Sequence, residues 1–343
     1  MIYINLIIVF IILVMIHEFG HYIVARFFGA KVTDFSIGFG KALFKFTDKN
    51  GTTWKIAPIP LGGYVKIKGL DSIFSNNSSE EEGSFQSLSL FQKILVLLAG
   101  SFFNILSVFI IFFSIYFFSG SLIIKPVVTN VLENSAAFNN DIKVGDHILE
   151  INGQKIFEFK DMTKILSKND EVFIKLKRGQ KILDKNIKLD FNEQNNRYIL
   201  GISSSSENGI LKKYSILRSF NDSVFIISFI YSETFKHLSN SFKNNNLQND
   251  LAGPIGIVKN ADKMMLNNLG GALNFFIIIS LSISLLNLLP IPLLDGGHIV
   301  YFIIRRIFSN SLPEFVTKVY LAVGITIISF LFIVITYNDI FYK

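Results

Sequence analysis

The stretch "MIYINLIIVFIILVMIHEFGHYIVAR", residues 1–26, decides how the chain is read. Residues 2–16 carry no charge, and the run is long enough for a membrane helix, which needs about 20 apolar residues. His17, Glu18 and His21 then enter its far half. An ionised side chain at the bilayer centre costs roughly 2.5–3.5 kcal/mol on insertion scales, so polar residues there call for a compensating interaction. On a helix, residues four apart share a face, about 6 Å apart along the axis. The imidazoles of His17 and His21 can therefore bind one metal ion, and Glu18 beside them can take a proton from water. A plainer alternative is a pair of histidines and an acid capping a span near the interface. The apolar setting favours the metal, whose charge offsets the buried carboxylate.

Composition agrees with a membrane protein carrying a polar portion. Of 343 residues, 50% are hydrophobic and 17% charged, below the roughly 25% of soluble domains. Mean hydropathy is +0.45. Net charge is +7, but the lysines are scattered and interleaved with acids, so no nucleic-acid partner is expected. The positive-inside bias of membrane proteins accounts for the basicity better. With no cysteine in the chain, disulfides and thiolate metal sites are excluded, and any metal must rest on His, Asp or Glu.

Four stretches are long and apolar enough to cross a bilayer: about 2–25, 94–120, 272–294 and 319–337. The first lacks a basic leader, so it reads as a retained span rather than a signal peptide. Arg26, Lys31, Lys41, Lys45 and Lys93 lie between the first two spans, and Arg305, Arg306 and Lys318 between the last two. These loops should be cytoplasmic and both termini periplasmic. Lys259 and Lys263 run against the bias. The insert after Gly120 would then face outward, with strand-like runs "PVVTNVL", "HILEING", "EVFIKLKR" and "NIKLD" and a turn at Asn152-Gly153. Residues 214–242 read as an amphipathic helix at the outer interface, with a fifth span as the alternative. "SNNSSEEEG", residues 75–83, reads as a flexible cytoplasmic loop.

A hydrolytic zinc site takes three protein ligands and keeps one position open. The missing ligand should be an acid or His at membrane depth, and "NLLPIPLLDGGH", residues 287–298, offers Asp295. Pro290 and Pro292 break the helix before it, and Gly296-Gly297 permit close backbone approach. An ordinary helix end with an exposed Asp is the alternative. His298 reads as a residue behind the ligands or at the interface rather than a fourth ligand. The segment "WKIAPIPLGGYVKI", residues 54–67, alternates strand formers with turn residues and predicts a membrane-associated hairpin. Its edge could pair with an unwound substrate segment and supply the hydrogen bonds that lipid cannot.

Taken together, "HEFGH", "PIPLGGYVKI", "AGSFFN", "GPIGI" and "NLLPIPLLDGGH" occur in the order found in the site-2 protease family, which the chain resembles over essentially its whole length. The likeness is greatest to the bacterial regulator-of-sigma-E branch. It implies an intramembrane zinc metalloendopeptidase of the bacterial inner membrane, with Zn2+ on His17, His21 and Asp295, Glu18 as general base, and an active site near the cytoplasmic side. It also implies that Asn287 contacts the substrate backbone, alongside Gly62, Gly63 and Tyr64 of the hairpin. Asn104 maps to the second-span motif, either as polar support near the metal or as a plain helix–helix hydrogen bond. "VLENSAAFNNDIKVGDHILEINGQKI" resembles a PDZ domain. Some relatives carry two in tandem, whereas the space here fits one. It would serve either as a receptor for a peptide or substrate ectodomain or as a size filter. The expected fold class is a polytopic α-helical membrane protein with four transmembrane helices, a membrane-associated β-hairpin region and one extracytoplasmic PDZ domain.

The expected organisation is a first helix at 1–25, a cytoplasmic loop with the hairpin at 26–93 and a second helix at 94–120. The PDZ domain follows at 121–206, then an interfacial segment at 207–270. A third transmembrane segment spans 271–304, a cytoplasmic loop 305–318 and a fourth helix 319–343. The implied partners are the lipid bilayer and single-span membrane protein substrates, such as anti-sigma factors or residual signal peptides. A membrane-anchored PDZ scaffold with a dead site is the rival reading, and intact Glu18 argues against it. A metal transporter would want polar residues along a path rather than at one depth. The topology predicts that Ser204→Cys labels with an impermeant thiol reagent once the outer membrane is opened, whereas Ser78→Cys does not. The reverse pattern would overturn the orientation.

Overall fold

The computed structural model describes residues 2–70, 81–167, 169–193, 197–205, 209–243, 253–265, 269–308 and 312–341. Most of the expected 75–83 loop, Ser78 included, lies outside them. The chain divides into two compact units, residues 1–111 with 224–343, and residues 112–223.

The first unit opens with helix α1 (Ile2–Phe27), whose uncharged first half has few alternatives to the helical hydrogen-bond ladder in lipid. Strands β1 (Val32–Phe39), β2 (Phe44–Thr47), β3 (Thr53–Ile56) and β4 (Ile59–Ile67) follow and form one sheet in the order β2-β3-β1-β4. The expected 54–67 hairpin does not form. β1 lies between β3 and β4, parallel to the former and antiparallel to the latter. Two local features explain the outcome. Asp48 accepts hydrogen bonds from the Asn50 and Thr52 amides and from Trp54 Nε1, which fixes the tight turn of a β2–β3 hairpin instead. Gly38, at φ 86°, leaves room for the short β3–β4 link to pass, since a Cβ there would lie 2.6 Å from the Ala57 carbonyl oxygen.

Helix α2 (Leu90–Ser114) continues as a π-helical turn through Ser119. The insert then begins with β5 (Ser121–Ile124), β6 (Asn130–Val131), helix α3 (Ala136–Asn139), β7 (His147–Ile151) and β8 (Gln154–Lys155). Helix α4 (Phe159–Leu166), β9 (Glu171–Arg178), β10 (Lys181–Lys188), β11 (Asp190–Asn192), β12 (Arg197–Ile199), β13 (Ile202–Ser203) and β14 (Gly209–Lys212) complete it. An antiparallel sheet β10-β9-β7-β8 is joined by the pairs β11-β12, β13-β6 and β14-β5. Asn152-Gly153, both at positive φ, makes the predicted β7–β8 turn. The insert has its own core, including Ile148, Ile151, Ile174, Leu176 and Ile187 at 0% exposure, which is why it forms a separate unit.

After α5 (Ile216–Lys243) come α6 (Pro254–Met265), α7 (Leu269–Asn287), α8 (Asp295–Ile307) and α9 (Glu314–Phe341). The expected third segment, 271–304, is thus two helices parted at the prolines, and Asp295 opens the second rather than ending the first. Residues 216–243 form one helix, and residues 244–252 of the expected interfacial segment lie outside the described ones. The "GPIGI" motif has a packing role. Asp339 of α9, fully buried, accepts a 2.7 Å hydrogen bond from the Gly256 amide at the α6 N-terminus, where helix polarity favours an anion.

Among the described residues, four helices are long and apolar enough to cross a membrane: Ile4–Phe27, Leu90–Ser119, Gly270–Asn287 and Glu314–Phe341. In the last, 6% of the most apolar window is buried within the protein, so its hydrophobic surface requires lipid.

In the insert, Arg178 closes the bend before β7. Its guanidinium donates to both carboxylate oxygens of fully buried Asp146, each at 2.7 Å. Burial pushes the Asp146 carboxyl up, but Arg178, the Lys143 amide and nearby Lys185 outweigh it and hold it below the ordinary carboxylate range. A carboxyl lowered in the folded state contributes stability above its unfolded pKa of about 3.9, and that contribution is lost as pH falls through the lower folded value. Asp146→Asn should destabilise the insert by about 2 kcal/mol at pH 7. The gap should close in acid as the wild-type carboxyl protonates. Urea-dependent proteolysis of the full chain in detergent measures both, and an unchanged gap at acid pH would show that charge is not the source.

Candidate metal centre

The α1 backbone places His17 and His21 one turn apart on the same face. His21 Nδ1 lies 2.8 Å from the Val96 carbonyl oxygen of α2. A carbonyl can only accept, so Nδ1 carries the proton and Nε2 presents a lone pair. His17, 8% exposed, turns its Nε2 to within 3.2 Å of His21 Nε2. The third group arrives from the other end of the chain. Asp295 Oδ2 lies 3.3 Å from His17 Nε2 and 3.5 Å from His21 Nε2. It is buried and makes no hydrogen bond.

Asp295 reaches this place because the backbone around it is compressed. α7 ends at Asn287, the chain turns through the two prolines, and α8 starts at Asp295 itself. Gly296 and Gly297 back directly onto the carbonyls of Leu288 and Ile291, where any Cβ would overlap. From α9, Tyr320 Oη donates to the Gly297 carbonyl at 2.7 Å, and Gly324 packs on Pro292.

The three ligand atoms fit a metal ion. Ligands held tetrahedrally at roughly 2.0–2.1 Å from zinc lie roughly 3.3 Å from one another, and the observed separations are 3.2, 3.3 and 3.5 Å. The wall behind them is bare: a Cβ on Gly100 of α2 would lie 2.6 Å from His17 Cε1 and 2.7 Å from its Nε2, and would overlap His21 Nε2. Among the described residues, His17, His21 and Asp295 form a cluster suited to a metal, and His298 is not part of it.

The other expected residues divide. A cleft of about 270 Å³ is lined by the triad, Glu18, Asn287, Tyr64 and His298. Glu18 is half-buried in its wall. The Asn287 amide lies 3.1 Å from His17 Nε2, at the ligand atoms themselves. Asn104, fully buried, lies 3.5 Å from His17 Nδ1. Gly63 brings β4 against α1, since a Cβ there would lie 3.7 Å from Glu18 Cγ and 2.6 Å from the Ser36 carbonyl oxygen. Gly62 instead makes room for the Phe39 ring, which stacks on Tyr64 with centroids 6.4 Å apart. Two contributors carry little sequence signal. The Val96 carbonyl is backbone and has none, while Gly100, within "AGSFFN", is a glycine whose neighbours only the fold reveals.

The M50 peptidase family model matches residues 5–331, and the chain belongs to that family. A Rickettsia conorii protein is 36% identical, the match covering 98% of both chains. A Campylobacter jejuni protein is 34% identical over 96% of this chain and 90% of its own, and a Helicobacter pylori protein 32% identical over 96% of each. All three are named "putative zinc metalloprotease". The PDZ domain of an SdrC-like protein from Listeria innocua aligns with 23% of this chain and 92% of its own length, at 28% identity and a TM-score of 0.22.

Gly100→Ala should lower bound divalent metal per chain at least about tenfold, because its Cβ would occupy ligand space. Elemental analysis of the purified protein tests this, and full metal content in the variant would mean the cluster is not the metal site.

Proposed function

We propose that this chain is a membrane-embedded zinc metalloprotease that hydrolyses peptide bonds within transmembrane segments of other membrane proteins. The observation that carries the reading is the convergence of His17 Nε2, His21 Nε2 and Asp295 Oδ2 beside helices long and apolar enough to cross a membrane. His17, His21 and Asp295 would hold the zinc. Zinc bound there would supply Lewis-acid activation of the scissile carbonyl and of the attacking water.

The chain's own residues supply the remaining steps. Glu18, in the same cleft, accepts the proton of the attacking water and passes it to the leaving amine nitrogen. Nε2 ligation would leave the His17 proton on Nδ1, 3.5 Å from the Asn104 amide nitrogen, and exchanging the amide's two ends would turn its carbonyl oxygen to accept that proton. Among the described residues β4 is an edge strand, and its Tyr64 lines the cleft. An unwound substrate segment adds along that edge at Gly62, Gly63 and Tyr64, so its backbone groups are bonded where lipid offers none. Asn287 contacts the substrate backbone next to the metal.

The insert is read as a single PDZ-type domain. Its cleft of about 220 Å³ between α4 and residues 197–202 suits a peptide or an unstructured end of a substrate ectodomain, with size filtering as its other use. The distribution of Lys and Arg supports a bacterial inner-membrane location with both termini periplasmic and the active site near the cytoplasmic side. Single-span proteins such as anti-sigma factors or residual signal peptides are the substrates this arrangement suits, in regulated intramembrane proteolysis or signal-peptide clearance.

Glu18→Gln should keep its zinc and fold, since glutamine retains the shape of the side chain but cannot accept the proton. Cleavage of a model single-span substrate in detergent should fall at least about a hundredfold. Near-normal cleavage with normal zinc would end the general-base assignment. Loss of zinc would make Glu18 a support of the metal instead.

A further inference from the structure

Between the two helices that meet at the metal centre, Ile291 to Leu294 form a tight turn closed by a hydrogen bond from the Leu294 amide to the Ile291 carbonyl, at 3.1 Å. Pro292 occupies the second position of this turn and Leu293 the third, with Leu293 at φ 79°. A proline followed by a residue at positive φ is the pattern of a type II turn, whose third position is comfortable for glycine or asparagine. A leucine there is a backbone outlier, held by its surroundings at a conformational cost. Local turn chemistry therefore gives no reason for a branched side chain at this position. Leu293 is 41% exposed, and it lines the same cleft as His17, Glu18 and Asp295. Tyr64 and Val65 of β4 line that cleft as well.

We propose that Leu293 is a specificity-determining residue: its side chain forms the wall that limits the size of the apolar substrate residue beside the scissile bond. The inference rests on the proteolytic reading above and deepens it. A segment added along β4 projects successive side chains to opposite faces, so one residue flanking the cut bond meets Leu293 while the next turns away. The wall is rigid, because Pro292 before it is fixed in φ and packed against Gly324. Small apolar residues are accepted at that subsite, and aromatic ones are excluded.

The test uses the full-length protein in detergent with a single-span substrate carrying Ala, Val, Leu or Phe at each position flanking the cleaved bond. Zinc content is read on the same samples. Leu293→Gly suits the turn better than the native residue and should fold and retain zinc. It should raise the kcat/KM ratio of Phe to Ala substrates at one flanking position by about tenfold or more, the scale on which an apolar pocket discriminates size. Leu293→Met, of similar volume, should keep the wild-type profile. An unchanged ratio in Leu293→Gly with normal zinc and cleavage would overturn the assignment, as would loss of zinc in that variant, which would make Leu293 a support of the turn. A wild-type protein that binds zinc and cleaves none of the panel would instead count against the proteolytic reading, and the selectivity would fall with it.

Discussion

Three electron-pair donors held 3.2–3.5 Å apart in the wall of one cleft repel one another. The chain nonetheless builds them into a buried arrangement, and much of the membrane unit follows from that constraint. The Val96 carbonyl takes the only proton of neutral His21, so the lone pair must face inward. Asp295 leaves one carboxylate oxygen without a hydrogen bond, a costly state for a buried charge unless a cation completes it. The arrangement has the form of a socket suited to a cation, whose charge would offset that repulsion.

Such a socket demands close backbone approach, and glycine supplies it from three directions. Gly100 leaves the space behind the imidazoles, Gly296 and Gly297 let α8 begin against the preceding turn, and Gly63 lets β4 lie beside Glu18. Gly20 adds a fourth contact, with its Cβ position 2.5 Å from the Ala99 carbonyl oxygen, so α1 and α2 cross at backbone distance. This is the small-residue packing expected where lipid gives helices no hydrophobic reason to associate.

The metal-type cluster was legible in the sequence because its chemistry is carried by side chains with a fixed helical spacing and by a proline-broken span ending in an acid. The apolar helices were legible from length alone. The sheet was not. Residues 54–67 have the composition of a hairpin, but strand partners depend on a pairing between β1 and β3 that no local pattern encodes. The start of α8 at Asp295 was hidden for a related reason: "PLLDGGH" reads as the tail of a hydrophobic run, and only the packing of Gly296 and Gly297 shows that a new helix begins there. A tautomer set by a main-chain oxygen leaves no mark on residue identity at all.

The pairing of β5 with β14 places Ser121 opposite Lys212, so the first and last strands of the insert lie side by side. Adjacent strands lie about 4.8 Å apart. A module attached in this way is topologically a side loop: its length can change while the distance between its two roots stays fixed. Duplication, loss or replacement of the insert therefore demands no re-registration of the helices that carry His17, His21 and Asp295. In such an architecture the chemistry and the means of choosing what reaches it can evolve on separate schedules.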